Sequence, residues 1–380
     1  MSPSEEIIYN TRAWTILSRC FELERTAGAY LLYGPEGTGR WQLAVSFAAL
    51  LNCEKPQKYS GDEAPLVPCG ECRNCRNIFA LNYEGLSFAV PIPPHGNKPE
   101  QAIDLTNEFL ERKRAEPFWI PGSTASTNIP VAVAREIKKR LALKASPGVT
   151  RAVIFYQMER MKTASSDALL KMIEEPPADT VVMLLTSRPD SLLPTIQSRA
   201  QKIKVSSHPA SAIEEYIRRG YDTSEKKARL VSRIAEGSVG RAVEIAESYD
   251  EDEGSRRGVA LLLFKSLFLD KSPDLLAHMN DVLDLRDRGE AENLLRLWQL
   301  LIRDCASVSV SGEVEAIVNV DFAADIKKLS GFFANSRLPA GMTVHIKNTL
   351  ADLRLNVHIQ GALMALALRL KSEIQAANQL

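Results

Sequence analysis

A glycine-rich segment near the start of the chain has the spacing of a nucleotide-binding phosphate loop, or P-loop. Its sequence is Gly-Pro-Glu-Gly-Thr-Gly-Arg-Trp, over residues 34–41. In a working P-loop, backbone N–H groups wrap the phosphates, a lysine reaches the β and γ phosphates, and a serine or threonine hydroxyl ligates magnesium. Here Arg40 and Trp41 stand at the lysine and hydroxyl positions. The candidate nucleotide-contacting residues of this degenerate loop are Gly34, Gly37, Gly39 and Arg40.

Both replacements weaken the chemistry of the loop. Arg40 presents a long planar fork where a compact ammonium is needed, and Trp41 has no oxygen to offer a metal. The alternative is a simple glycine turn. The flanks favour a P-loop fold, because residues 29–33 suit a buried strand and residues 42–52 have helical apolar spacing. We do not expect this chain to hydrolyse ATP.

A second catalytic element is also missing. In P-loop ATPases a later strand ends in an acidic residue that holds magnesium. The corresponding strand here covers residues 152–156 and is followed by Gln157, so Tyr156 and Gln157 stand where acids are needed. Glu159 is the nearest acid, two or three positions too late to substitute without a shift in strand register.

Four of the six cysteines have the spacing of a metal site, and they are Cys53, Cys69, Cys72 and Cys75. Zinc favours four thiolates in structural sites, so we predict a structural zinc module over residues 53–75. A redox pair and unligated thiols are the alternatives. Cys20 and Cys305 stand alone and are predicted to be buried thiols.

Composition sets the class of the protein. The 380 residues are too many for one ordinary core, and 47 basic residues balance 47 acidic ones. No apolar segment is long enough to cross a membrane and the first residues lack a signal-peptide pattern, so we expect a cytoplasmic protein without a membrane partner. The histidines, such as His95 and His208, are isolated in sequence and are not predicted to be ligands.

Strands alternate with helices in the first half of the chain, which predicts a parallel sheet. A helix ends near residue 144, and another over residues 164–174 precedes a strand over residues 181–186. The segment 91–128 is a loop-rich excursion with one charged helical piece, and no chemistry is assigned to it.

The second half is predicted to be helical. Three short helices fall within residues 207–249, a charged linker covers residues 250–258, and helices continue to the end. The last helices keep one apolar stripe.

Three segments carry a resemblance to a known family. Residues 168–177 read ALLKMIEEPP, residues 193–199 read LPTIQSR, and residues 237–241 read GSVGR. Together with the degenerate P-loop and the four cysteines, they resemble bacterial clamp-loader subunits of DNA polymerase III, which are AAA+ proteins, and most closely the delta prime family. The resemblance covers roughly residues 1–250.

The resemblance implies an α/β AAA+ P-loop domain, with flanking helices and the zinc insertion, over residues 1–206. A small helical lid over residues 207–250 and an all-α collar domain over residues 259–380 would follow. The implied function is that of a stator, which does not hydrolyse ATP and assists ATP-dependent loading of a sliding clamp onto primed DNA. The implied partners are gamma/tau and delta subunits in a hetero-pentameric ring, with the clamp and DNA reached through the complex.

The resemblance also assigns site residues. Arg199 matches an arginine finger that acts in trans on the neighbouring ATPase subunit, and Ser198 orients its turn. Thr186 and Arg241 match the two nucleotide-sensing positions, although Arg241 could instead pair with Glu244 or Glu247. Two other functions stay open: an active clamp-loader ATPase with an unusual site, and a zinc-dependent nucleic-acid-binding protein.

Overall fold

The structure is a computed structural model, and it describes residues 3–59, 64–93, 99–121, 127–161, 172–173, 175–248, 256–269, 288–313, 317–334, 337–354 and 357–378. The described residues form two compact units. The first draws on residues within 1–120, 125–228 and 235–244, and the second on residues within 121–124, 229–234 and 245–380. The three-domain division stays a prediction.

The elements up to the cysteine cluster are α1 (Pro3–Tyr9), α2 (Arg12–Glu22), β1 (Ala29–Tyr33), α3 (Arg40–Leu51), β2 (Gln57–Lys58), β3 (Leu66–Val67) and α4 (Arg73–Phe79). The rest of the sheet and its helices follow as β4 (Leu86–Ala89), α5 (Pro99–Ala115), α6 (Val131–Ala142), β5 (Arg151–Phe155), β6 (Thr180–Thr186), α7 (Pro194–Arg199) and β7 (Gln201–Lys204). The later helices are α8 (Ala210–Gly220), α9 (Glu225–Ile234), α10 (Val239–Ser248), α11 (Arg256–Leu269), α12 (Arg288–Ser311), α13 (Ala323–Leu329), α14 (Arg337–Arg354) and α15 (Ile359–Asn378).

The main sheet has the strand order β4-β5-β6-β1-β7, and its neighbouring strands are parallel. Its central strands are continuous apolar runs because both faces are covered. Tyr33 pairs with Thr186, and Phe155 pairs with Leu184, so β1, β5 and β6 end at the same edge. The glycine loop leaves β1 at that edge. The predicted parallel sheet with flanking helices is therefore confirmed.

Helix α3 lies against one face of the sheet. Its residues from Arg40 to Leu50 are buried, as its almost uniformly apolar sequence requires. Phe47 packs edge-on against Tyr30 of β1, with ring centroids 5.4 Å apart. Just beyond the helix, the Asn52 side chain donates to Thr150 O and accepts from Thr150 N, each at 2.9 Å. This pair of hydrogen bonds ties the start of the cysteine module to the segment before β5.

Two predictions about helix positions differ from the structure in their bounds. The charged helical piece predicted around residues 108–114 lies within α5, which begins earlier and has 17 residues because buried Ala102 and Phe109 give it a packing face. The predicted linker overlaps α11, which begins at Arg256. Burial of Ala260 and Phe264 stabilises that helix despite Gly258. Of the helix predicted over residues 164–174, only Met172 and Ile173 lie within the described residues, and both are helical.

The second unit is helical around a core that contains Trp298, whose indole N–H donates to Ala260 O at 3.0 Å. Asp304 is 2% exposed, and its carboxylate accepts from Val318 N at 3.1 Å, Asn319 N at 2.9 Å and Asn319 Nδ2 at 2.7 Å. The helical C-terminal region is confirmed. Among the described helices, none has the length and hydrophobicity needed to span a bilayer.

Replacing Asp304 with alanine should lower the free energy of unfolding by about 3 kcal/mol, because three N–H donors lose a buried charged acceptor. Urea denaturation measures this change. Asp304→Asn keeps one oxygen acceptor and should cost less, while exposed Glu313→Ala is the control. An Asp304→Ala variant as stable as the control would contradict the buried role.

Candidate functional site

The glycine loop adopts a conformation that only glycine tolerates at three positions. Gly34, Gly37 and Gly39 have φ angles of 157°, 71° and 91°. A Cβ on Gly34 would lie 2.0 Å from Val205 O, and a Cβ on Gly37 would lie 2.2 Å from Ser238 Oγ. The glycines therefore allow close packing of the loop against other parts of the first unit.

The loop carbonyls are hydrogen-bonded within the protein. Buried His208 donates from Nε2 to Thr38 O at 3.0 Å, and Gly240 N donates to Gly37 O at 3.0 Å. Burial lowers the pKa of His208, which favours the neutral ring, although its bond to Thr38 opposes this effect. His208 is isolated in sequence, and the fold places it beside the loop from a distant part of the chain.

Arg40 is 5% exposed at the start of α3, and its Nη1 has no hydrogen-bond partner among the described residues. Burial lowers the pKa of its guanidinium. Tyr156 and two nearby carboxylates, Glu36 and Glu159, oppose this shift by favouring the positive charge.

The two positions that need oxygen ligands, 41 and 156, instead hold aromatic rings in contact. Trp41 and Tyr156 have ring centroids 5.7 Å apart, and Trp41 also stacks on Phe88 at 5.3 Å. Phe109 of α5 contacts both Trp41 and Tyr156. Burial raises the pKa of Tyr156, so its phenol is neutral. This cluster offers no anionic oxygen for magnesium.

Glu159 reaches the site in spite of its late position in the sequence. A short 3₁₀ turn after Gln157 brings it back, and its Oε1 accepts from Ser187 Oγ at 2.7 Å and Ser187 N at 3.2 Å. Gln157 Nε2 donates to Glu36 Oε1 at 3.3 Å. The 3₁₀ turn after the strand is what places Glu159 beside Ser187.

Lys113 is a buried residue of the site to which the sequence analysis assigned no role. It is 3% exposed, and its amine donates to Pro117 O at 3.5 Å and to Trp119 O. The amine also lies 4.7 Å from the Tyr156 ring centroid and 5.7 Å from that of Trp41. Burial lowers its pKa from 10.5 to about 7, and the charge of Arg40 adds to this effect.

The two predicted nucleotide-sensing residues, Thr186 and Arg241, contact different partners. Thr186 is buried at the end of β6, and its Oγ1 accepts from Arg188 N at 3.0 Å. Thr186 O also accepts from Gly34 N at 3.3 Å, so this position does meet the loop. Arg241 of α10 has its Nη1 3.6 Å from a carboxylate oxygen of Glu236, a partner that sequence spacing along the helix did not suggest.

The predicted finger residues lie at the end of α7, where both are exposed. Ser198 Oγ donates to Thr195 O at 3.2 Å, and Arg199 Nη1 donates to the same carbonyl at 3.0 Å. One carbonyl thus receives a bond from both side chains.

The structure brings the four predicted metal-ligating cysteines together. Their sulfur atoms all lie within 4.8 Å of one another, so Cys53, Cys69, Cys72 and Cys75 could hold a metal ion. Cys69 Sγ and Cys75 Sγ are 3.9 Å apart, close to the roughly 3.8 Å edge of a tetrahedron with metal–sulfur bonds of about 2.3 Å. Backbone N–H groups of Cys69 and Cys72 donate to the sulfurs of Cys53 and Cys69. Such bonds favour thiolates.

Of the two other cysteines, Cys305 is buried as predicted. Cys20 is only half-buried, so that part of the prediction was wrong.

Comparison with protein families shows which family the chain belongs to. A family model described as DNA polymerase III, delta subunit, matches residues 9–209, more than half of the chain. The chain belongs to this DNA polymerase III delta subunit family. This membership confirms the predicted resemblance, and the parallel sheet with flanking helices confirms the predicted α/β fold.

Relatives from several bacteria extend the similarity. DNA polymerase III subunit delta' of Bacillus subtilis (strain 168) is 25% identical over 361 residues, 95% of this chain and 95% of that protein. The delta' subunit of Escherichia coli (strain K12) is 22% identical over 335 residues, 88% of this chain and 86% of that protein. Subunit gamma/tau of Mycobacterium tuberculosis (strain ATCC 25618 / H37Rv) is 29% identical over 196 residues, 51% of this chain and 27% of that protein. The chain is thus similar to delta' and gamma/tau subunits of DNA polymerase III.

Replacing Cys72 with serine should remove the metal ion and lower the melting temperature by on the order of 10 °C, because the bound metal stabilises the folded chain. Elemental analysis and calorimetry measure the two effects. Cys20→Ser is the control for loss of one thiol. A metal-free Cys72→Ser chain with the wild-type melting temperature would show that the cluster does not stabilise the fold.

The stability of this family member should depend on pH through Lys113. Because burial lowers its pKa to about 7, the unfolded chain binds more protons than the folded chain above that value, so stability rises with pH. Between about pH 7 and about pH 9, wild type should gain roughly 2 kcal/mol relative to Lys113→Met. Urea denaturation measures the difference, with exposed Lys138→Met as control. Parallel pH profiles of the free energy of unfolding for wild type and Lys113→Met would contradict the proposed contribution of Lys113.

Proposed function

We propose that this chain is the non-hydrolysing stator subunit of a DNA polymerase III clamp loader. In this role it sits in a hetero-pentameric ring with gamma/tau and delta subunits. The ring loads the sliding clamp onto primed DNA with energy from ATP bound by its other subunits. This chain contributes an arginine finger to one of those neighbours.

The observation that carries the proposal is the contact between the rings of Trp41 and Tyr156. Phosphoryl transfer needs magnesium held by oxygen ligands from the P-loop and from the acidic end of a strand. Both positions are aromatic and buried here, and they pack against each other at 5.7 Å. The loop residues Gly34, Gly37, Gly39 and Arg40 are thus vestigial, as are the sensing residues Thr186 and Arg241.

Similarity to two kinds of subunit supports the place in a clamp loader. The delta' subunit of Bacillus subtilis aligns over 95% of the chain, while gamma/tau of Mycobacterium tuberculosis aligns over 51% of it. A chain that shares the fold of its ATPase neighbours can pack beside them in a ring. The helical region over residues 259–380 is proposed as the collar through which the ring is held together.

Arg199 is the residue proposed to act on the neighbour. A guanidinium is always charged and binds two phosphate oxygens at once, so it can stabilise the charge that develops during phosphoryl transfer. Arg199 is exposed at the end of α7, as a residue acting in trans must be. Ser198 shares the acceptor Thr195 O with Arg199, which supports its proposed role of orienting this turn.

The metal ion proposed for the cysteine cluster is zinc. Four thiolates and no histidine or carboxylate form a closed, soft ligand set, which is typical of structural zinc. Zinc bound by Cys53, Cys69, Cys72 and Cys75 would stabilise the module without taking part in catalysis. Its base is held to the sheet through Asn52.

Replacing Arg199 with alanine should lower the clamp-stimulated ATPase rate of a reconstituted complex. The neighbouring active site should lose a factor on the order of 10³, so total turnover falls to that of the remaining sites. Arg199→Lys keeps the charge but not the fork and should recover only part of the rate. Turnover is measured at saturating clamp and primed DNA.

Exposed Arg19→Ala of α2 is the matched control, and gel filtration checks that each complex assembles. The isolated chain should show no turnover. Full activity of the assembled Arg199→Ala complex would contradict the arginine-finger role of Arg199. Turnover by the isolated chain would show that the chain itself is an ATPase.

A further inference from the structure

Helix α7, which carries Arg199, has only six residues. A helix this short has little stability of its own, so contacts with the rest of the first unit must fix its position. Ile196 is 1% exposed and Ala200, just after the helix, is 7% exposed. Both belong to the same apolar cluster as Leu184 of β6. Apolar packing holds the helix in place but is not directional, so it restricts rotation about the helix axis only weakly.

The side chain of Gln197 supplies directional contacts for this helix. Its Nε2 donates to Pro189 O at 2.9 Å and to Leu192 O at 3.1 Å. Both carbonyls belong to the turn that follows β6, which is called the 189–192 turn below. At the other end of the amide, Oε1 accepts from Lys202 Nζ of β7 at 3.0 Å. One half-buried side chain thus connects α7 to the segments on both sides of it.

These three hydrogen bonds require an uncharged amide at position 197. An ammonium group can only donate and a backbone carbonyl can only accept, so the group between them needs an oxygen at one end and two N–H donors at the other. Glutamine has both. A glutamate of the same length would keep the contact with Lys202 but would place acceptor oxygens against the two carbonyls of the 189–192 turn.

Gln197 and Arg199 lie on opposite sides of the buried residue Ile196. At 3.6 residues per turn each step rotates the side chain by about 100°, so Gln197 lies about 100° to one side of Ile196 and Arg199 about 60° to the other. Hydrogen bonds at Gln197 therefore limit rotation of the helix and with it the direction of Arg199. The guanidinium donates to Thr195 O of the same helix, so it moves with α7.

We propose that Gln197 is a positioning residue for the Arg199 finger. Its hydrogen bonds to the 189–192 turn and to Lys202 fix the rotation of α7, so that the guanidinium is presented to the neighbouring subunit. This matters because a displacement of about 1 Å can lower a catalytic rate about 100-fold. The inference rests on the proposed function, since it concerns the same arginine. It adds a residue that acts only through Arg199.

The test measures the clamp-stimulated ATPase rate of reconstituted complexes that contain wild type, Gln197→Ala, Arg199→Ala or the double variant. Gln197→Ala should lower the rate of the neighbouring site about tenfold, because a misplaced guanidinium stabilises the transition state less well. The double variant should match Arg199→Ala, because Gln197 acts through an arginine that is no longer present. A general loss of stability would instead add to the effect of Arg199→Ala.

Gln201→Ala is the matched control and should keep the wild-type rate. Gln201 is an exposed glutamine of β7 whose Nε2 lies 3.9 Å from Cys20 Sγ. Gln197→Glu keeps the chain length but loses both donors, so it should be as slow as Gln197→Ala. Gel filtration and thermal unfolding check the assembly and folding of each variant. If Gln197→Ala does not fold, Gln197→Glu replaces it in both the single and the double variant.

A Gln197→Ala complex with wild-type turnover would overturn the inference when Arg199→Ala slows the same complex. A further loss of rate in the double variant would also overturn it, since Gln197 would then act by a route other than Arg199. If Arg199→Ala itself leaves turnover unchanged, the arginine finger fails and the positioning role fails with it. The two failures are distinguishable because each is measured with a different single variant.

Discussion

The register of the parallel sheet is the constraint on which the site depends. Because β1, β5 and β6 run in the same direction and end together, the residues that follow them must share one edge of the sheet. In a nucleotide-binding protein, phosphates and a metal ion neutralise the polar and charged groups gathered there. In this chain the same edge carries Arg40, Glu36, Glu159 and the rings of Trp41 and Tyr156, and these groups lie close enough to interact with one another.

The way they do so explains several otherwise unconnected features. Glu36 and Glu159 favour the positive charge of Arg40, Glu159 accepts from Ser187, and His208 donates to a loop carbonyl. Isolated buried charges are unstable, so loss of the ligand requires such internal partners. The charged residues of a former binding edge can therefore be retained for packing and charge balance, without binding a ligand.

The features proposed to act on other molecules lie outside this closed edge. Arg199 is exposed at the end of α7, and the four cysteines form a separate cluster beyond α3. The proposed stator role is consistent with this division, because in that role the chain's own site is inactive while its surface supports the chemistry of a neighbour. Asn52 connects the cysteine module to the sheet, so metal binding can stabilise the domain without reaching the loop.

Sequence alone determined the features that depend on local pattern. The glycine spacing predicted the strand, loop and helix around residues 34–41, the cysteine spacing predicted a cluster that the structure assembles, and three short segments pointed to the correct family. The replacements at positions 41 and 156 could be recognised because each motif requires one kind of side chain at a fixed place. Where spacing and residue type carry the information, no knowledge of tertiary contacts is needed.

Only the tertiary structure decided which side chains pack around the altered glycine loop. Lys113 is more than seventy residues from the loop in sequence, and its segment contains no motif, so periodicity could not place it there. A 3₁₀ turn places Glu159 beside Ser187. His208 is buried beside the glycine loop, from which it is distant in sequence. Burial and charge compensation arise between segments that the fold brings together. Local sequence therefore showed which side chains of the motifs are replaced, and long-range packing determined which side chains lie around them.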